Sequence, residues 1–262
     1  MVFKRMLQAM GVGGPSVDTV LANPNCRPGG YLEGQVNVLG GEHNVDIEYI
    51  ALGLVTRVEV ESGDSEYDTT QEFHRQRVTG SFQLPAGARH SIPFRFDVPW
   101  ETPITDIYGQ RLHGMTMGLR TELEVARAVD KGDLDQVSVH PLPAQERILE
   151  GLARLGFRFS KADNERGRIY GVQQSLPFYQ EIEFYPPPQY SGAINQLELT
   201  FLATPHQLQV VVELDKRGGL FTEGRDAFLR FTADYATVDQ TDWTSFLDGQ
   251  IRQAAQHRGF HF

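Results

Sequence analysis

The chain has 262 residues, 34 acidic against 24 basic side chains, a formal charge of -10 and one cysteine. So acidic a surface argues against bulk nucleic-acid binding and disfavours anionic membranes, and a single Cys26 excludes an internal disulfide. With 40% apolar residues and no run near the roughly 18 apolar residues of a membrane span, the chain has enough material for two packed units of about 100–130 residues each.

Residues 1–10 place Val2, Phe3, Met6, Leu7 and Met10 at helical spacing beside Lys4 and Arg5. The expectation is a short helix docked on the body of the protein. Membrane contact through residues 1–10 is the alternative, and two basic residues give it little electrostatic grip. Gly11–Pro15 ends that helix, and no Gly-Lys-Ser/Thr follows to make it a phosphate loop. Strand signals begin at Ser16–Leu21. After the turn cluster Asn23–Gly30, Leu32, Val36 and Val38 alternate with polar residues up to Gly40–Gly41.

Asn44 to Val60 is one long strand whose apolar phase switches, from Val45, Ile47 and Tyr49 to Ile50, Leu52 and Leu54. Such a switch requires a bulge, or a strand covered on both sides. Ser62–Thr70 reads as an exposed polar loop, Val78, Phe82 and Leu84 as the next strand, and Pro85–Gly87 as a turn. From His90 to Val98 and from Met115 to Val125 the period of two is sustained, the mark of a sheet with one dry and one wet face. Pro99–Gly114 between them is irregular. Asp130–Asp135 reads as a turn, followed by a short strand through Val137 and Val139.

Ala144–Leu155 reads as a helix with Ile148, Leu149, Leu152 and Leu155 on one face, and the domain boundary is placed here, dividing 1–142 from 143–262. Strands are expected at Gly156–Ser160, Ser175–Tyr185, Gln196–Ala203, Leu208–Leu214 and Ala227–Ala233. Turns are expected at Asp163–Gly167, Pro186–Pro188, Thr204–His206 and Lys216–Gly219. Trp243–Gln256 closes the series as a helix, with Asp239 and Thr241 available to cap it. It is expected to cover its own domain, the alternative being a latch or an oligomer contact. The fold class is mainly β, two sandwiches with short helices.

No catalytic signature accompanies this pattern. His257 and His261 have the i, i+4 spacing of a shared metal, but Gly259 lies between them and no acidic partner is visible. Asp130, Asp133 and Asp135 miss the spacing of an EF-hand loop and enclose Lys131, which favours an exposed turn over a cation site. No Gly-x-Ser-x-Gly elbow occurs, and no particular histidine is tied to Cys26. Glu181 and Glu183 are two apart on one strand and point the same way, a solvated strand face unless they are close and dry. Trp100 and Trp243 are too scattered for a carbohydrate platform. No catalytic, cofactor-binding or metal residue is assigned, and none is expected.

The ordered series of segments resembles the bacterial sporulation-control family of arrestin-like proteins, the SpoOM type. MVFKRMLQAMGVGGPSVDTVL is similar to that family's opening helix, glycine turn and first strand; PGGYLEGQVNVLGG and IEYIALGLVTRVE follow, then IPFRFDVPWETP and GLRTELEVARAVDKGDLDQVSVHP. LGFRFSKADNE, LPFYQEIEFYPP and VVVELDKRGG resemble its C-terminal strands. The resemblance implies tandem arrestin-like sandwiches without catalytic residues, a regulatory or adaptor role in sporulation or cell development, and contacts with cytoplasmic proteins. In arrestins a buried charged core acts as a trigger. Arg120, Arg127, Asp130 and Asp133 are the charged residues available for one, though no motif assigns them. A trafficking or stress adaptor that touches membrane, a homodimer, and a carbohydrate-active sandwich using a carboxylate pair remain the alternatives. The single cysteine and the lack of a signal-peptide pattern place the expected compartment in the reducing cytoplasm.

Overall fold

Where apolar and polar residues alternate, the chain runs as strands whose two faces meet different surroundings. The computed structural model describes residues 13–62, 65–126, 130–216 and 227–256. The helix expected over 1–10, Arg127, His257 and His261 lie outside the described residues. In chain order the first elements are β1 (Ser16–Leu21), β2 (Asn25–Cys26), β3 (Tyr31–Leu39), β4 (Val45–Ser62), β5 (Ser65–Arg77) and β6 (Phe82–Leu84). Then come β7 (Arg89–Asp97), β8 (Asp106–Ile107), β9 (Gln110–Arg111), β10 (Met117–Val125), β11 (Lys131–Gln136), β12 (Ser138–Val139) and α1 (Pro143–Leu155). The second half holds β13 (Arg158–Arg166), β14 (Phe178–Tyr185), β15 (Ile194–Ala203), β16 (Gln207–Lys216), β17 (Ala227–Asp234), a 3-10 turn at Val238–Gln240 and α2 (Trp243–Gln256).

A three-stranded sheet, β1-β3-β7, faces a ten-stranded sheet ordered β11-β10-β4-β13-β14-β15-β16-β17, with β5 and β6 also paired to β4. The core between them sets Val17, Leu32, Val36 and Phe96 with Ile50, Leu52, Leu54, Leu119 and Leu123 in one continuous cluster. A buried polar cross-link joins the two sheets: the hydroxyls of Thr19 and Thr121 are 2.6 Å apart. The phase switch of β4 is a bulge. Glu124 pairs with Tyr49 and Val125 with Ile47, so Glu48 is the extra residue, and Ile47 and Ile50 both reach the core at 1% and 0% exposure.

Three expected turns are strands. The polar stretch after Ser62 returns along β4 as β5, in register from Ser65 to Arg77, with His74 at a second irregularity and at positive φ. Lys131–Gln136 pairs with β10, so the acidic turn is an edge strand. Asp163–Glu165 continues β13 against β14. In each case polar composition looked like loop, whereas a cross-strand partner satisfies the backbone and leaves the polar side chains on an outer face.

In the second half, β13 to β17 form consecutive antiparallel pairs. Ile182, Leu199, Val212 and Leu229 form one cross-strand row, facing the helices. There α1 buries Ile148, Leu149 and Leu152, and α2 buries Leu247 and Ile251. Phe231 of β17 meets Trp243 and Phe246 of α2 at ring distances of 5.9 and 5.0 Å, so α2 covers its own sheet. Pro143 opens α1, the Gln145 side chain accepts from the Leu142 amide (2.7 Å), and Gly156 ends the helix at φ 94. α2 is capped by Asp242, which accepts from the Ser245 amide (3.1 Å). Of the two residues available to cap it, Asp239 instead accepts from Arg147 of α1 (2.7 Å) and the Thr241 hydroxyl donates to the Thr237 carbonyl (3.3 Å). With the helices on one face, the outer face of β13–β16 is left for another use.

Candidate functional site

The outer face is the other phase of the same alternation. Tyr179, Glu181, Glu183 and Tyr185 lie on it from β14, Glu198 and Thr200 from β15, Val211 and Glu213 from β16. Register lines the acids up: Glu183 is opposite Glu198, Glu198 opposite Glu213, and Glu213 opposite Phe228. Asp163 of β13 is opposite Glu181, and Glu165 opposite Tyr179. The carboxylate oxygens of Glu181, Glu198 and Glu213 lie within 4.8 Å of one another, and those of Glu59, Asp163 and Glu165 do the same. Like charges placed directly opposite destabilise a sheet, so a band of this density needs protons or cations to hold it.

Over Glu181, Glu198 and Glu213 opens a cleft of about 710 Å³, lined also by Arg168, Ile169 and Tyr170, with Phe228 and Arg230 at the β17 side. Its wall is built by Gln174, 8% exposed. The Gln174 amide donates to the carbonyls of Gly167 and Leu176 (2.8 Å each) and accepts from the Ile169 amide (3.0 Å), folding the β13–β14 connection back over the face.

The electrostatics follow from that enclosure. Burial first, then Glu198 and Asp163, push Glu181 up to about 9. Glu183 is raised by burial and opposed by Lys161, whose ammonium reaches Asp163 (2.9 Å) and Glu183 (3.1 Å). Glu59 is raised by burial and by Asp163 and Glu66. A solvated face for Glu181 and Glu183 is therefore not what forms: Glu183 is 6% exposed. Sugar-cleaving carboxyl pairs stand about 5–5.5 Å or 6.5–9.5 Å apart to admit a bond or a water. Acids whose nearest oxygens lie within 4.8 Å of one another are close enough to share a proton.

The other sequence candidates do not converge. Asp130 groups with Glu122 and Glu124, while Asp133 accepts from the Thr19 amide (2.8 Å). Asp135, pushed up to about 6 by burial and by Asp133 and Asp18, lies with β1. Asp133 and Asp135 share one face of β11, while Asp130, just before that strand, groups with Glu122 and Glu124, so the three do not form one cation loop. Arg120 pairs with Glu72 at 3.4 Å, both side chains partly exposed. Cys26 is buried, its thiol pushed up to about 12, and is inert as a nucleophile. His140 bridges Asp106 (2.7 Å) and Asn25 (3.0 Å) through its two ring nitrogens. Sequence reasoning found Glu181 and Glu183 but missed Glu59, Asp163, Glu165, Glu198 and Glu213. For Glu198 and Glu213 the one signal was an acid in the polar phase of a largely apolar strand.

Fold and cleft together define a mainly β protein that presents an acid-floored surface on a rigid sheet. A family model described as Spo0M: SpoOM protein matches residues 3–218, and the chain belongs to the SpoOM protein family. It is similar to the sporulation-control protein spo0M of Bacillus subtilis (strain 168), 37% identical over 216 residues that span 82% of this chain and 81% of that protein. It is also similar to the crystal structure of Spo0M, sporulation control protein, from Bacillus subtilis. That match has a TM-score of 0.81 at 32% identity, over 93% of this chain and 100% of that one. Among the described residues no helix is long and apolar enough to cross a membrane.

Proposed function

We propose that this chain is a non-enzymatic regulator of sporulation or a related developmental step, acting in the cytoplasm by contacts with other proteins, its two halves being arrestin-like units divided near residue 142. The observation that carries the reading is the likeness over most of the chain to a sporulation-control protein of Bacillus subtilis. A cleft of binding size, set on consecutive paired strands, supports a role in contact.

Deletion of the gene in the native organism, followed by complementation, tests it. Loss should shift the timing or frequency of the developmental step, and the intact chain should restore it and capture specific protein partners from the native extract. A deletion strain that develops normally, or a chain that captures no protein, sinks the reading.

A further inference from the structure

We infer that Trp100 and Glu101, a dipeptide of the first half, hold both walls of the cleft in the second half, so that opening of the cleft is coupled to the first half. The dipeptide follows the end of β7 and is fixed to its own half. The Val98 amide donates to the Gly30 carbonyl (2.8 Å) and the Gly29 amide to the Val98 carbonyl (3.1 Å). The Trp100 indole fills the space left by Gly29, which has no Cβ and sits at φ +72. From that footing both side chains reach into the second half.

Glu101 takes one wall. Its carboxylate accepts from the Ser175 amide (2.9 and 2.8 Å to the two oxygens) and from the Leu176 amide (3.1 Å). Those amides lie at the root of the β13–β14 connection, the strap that brings Arg168, Ile169 and Tyr170 to the cleft. The strap hangs on Gln174, the residue before Ser175. The Ile169 amide donates to the Gln174 side chain (3.0 Å) and the Arg168 guanidinium to the Gln174 carbonyl (2.9 Å). A hold on Ser175 is therefore a hold on the strap. Farther out the strap is lightly seated: Tyr170 is 85% exposed, and Gly171 rests against Arg230 of β17.

Trp100 takes the other wall. Its ring stacks on Tyr235 at 6.4 Å, and Tyr235 directly follows β17, the strand that supplies Phe228 and Arg230 to the cleft. The Tyr235 hydroxyl donates to the Thr204 carbonyl (3.0 Å), tying that contact to the turn between β15 and β16. Leu208 is opposite both Ala203 and Ala233, so β17 finishes at the end of the sheet where β15 finishes and the antiparallel β14 begins. Both holds thus act at one end of the sheet. A carboxylate on two amides is a strong, directional contact, and a ring stack adds shape. A first half that shifts at the seam carries strap and strand end with it, whatever the cleft receives.

Hydrogen–deuterium exchange of the full chain, read by mass spectrometry over overlapping peptides, tests this. Glu101→Gln should speed exchange about tenfold or more across residues 167–176, because a charged acceptor is replaced by a weaker one. Trp100→Leu should speed exchange at the end of β17. Glu33→Gln, an equal loss of charge on exposed β3, should change neither. Coupling is reciprocal, so Gln174→Ala in the second half should speed exchange over residues 99–105 in the first. Strands β10 and β16 should keep wild-type rates throughout, which separates local opening from loss of the whole fold. Glu101→Asp, whose charge stops one methylene short of the amides, takes the place of Glu101→Gln if that variant does not fold. Acceleration confined to the Ser175 and Leu176 amides would make Glu101 a local cap and overturn the inference. So would Gln174→Ala that leaves residues 99–105 unmoved, or acceleration of β10 and β16 in step with the strap.

Discussion

Glu181 is held in a state that an exposed glutamate on a strand does not adopt. Its ordinary value of 4.5 rises to about 9 because burial and the acids beside it oppose the charged form. The folded chain therefore binds a proton that the unfolded chain releases. The stabilisation is complete below about pH 4.5 and is lost as pH rises through about 9. Glu181→Gln keeps a hydrogen-bonding side chain that never ionises. Across that window the wild type should lose melting temperature while the variant holds it, the gap opening to at least about 3 °C at the alkaline end. Parallel curves for the two proteins would show that Glu181 titrates as an exposed acid. Gly114 is a residue of the opposite kind, defined by what it lacks. At φ +98 its absent Cβ leaves room for the Ala162 carbonyl, which would lie 2.2 Å from that atom. Gly114→Ala should destabilise by about 1–3 kcal/mol in denaturant unfolding, from backbone strain together with the clash.

At the scale of elements, α1 and α2 touch through a glycine in the middle of a helix, a position that costs helix stability relative to alanine. A Cβ at Gly151 would come within 2.9 Å of Leu247 and 3.2 Å of the Trp243 Cβ, so the glycine is what lets the helices approach. Gly151→Val should destabilise by about 1–3 kcal/mol through overpacking; an unchanged guanidinium midpoint would mean that the helices do not rely on that contact. Elements of this sort were largely legible in the sequence. The period of two found β7 and β10, the period of 3.6 found both helices, and the phase switch in β4 announced the bulge at Glu48. What stayed hidden was pairing. β5 and the end of β13 are too polar to advertise burial, and each becomes a strand because a neighbour offers a complete backbone partner. The cleft was half legible for the same reason. Glu181 and Glu183 share a strand, and their common face follows from spacing. Glu198 and Glu213 join them only through register across two more strands, which turn geometry sets and no local pattern records.

At the scale of the whole molecule, the two halves of the chain share one sheet and one continuous core. Their backbone link is thin: among the described residues it is the parallel pairing of Glu59 with Glu165 and the Ala162 amide donating to the His113 carbonyl (3.3 Å). Side chains thicken it. Asn164 is 2% exposed and donates to the Thr56 hydroxyl (3.0 Å) and the Arg57 carbonyl (2.7 Å). The Gln180 amide both donates to and accepts from Ile104 (2.8 and 3.0 Å), and Phe73 meets Phe178 edge-on at 5.2 Å. Buried partners of this kind make opening the seam expensive, because each broken bond leaves a group unsatisfied away from water. The wild type should therefore unfold in one calorimetric transition with matching calorimetric and van't Hoff enthalpies. Asn164→Ala removes both bonds to β4 and should cost about 1–3 kcal/mol, broadening or dividing that transition as the halves lose coupling. Two transitions in the wild type, neither moved by Asn164→Ala, would mean that the halves fold independently. The acid band, whose Glu59 comes from the first half and whose remaining acids come from the second, would then owe its alignment to the strands of the second half alone.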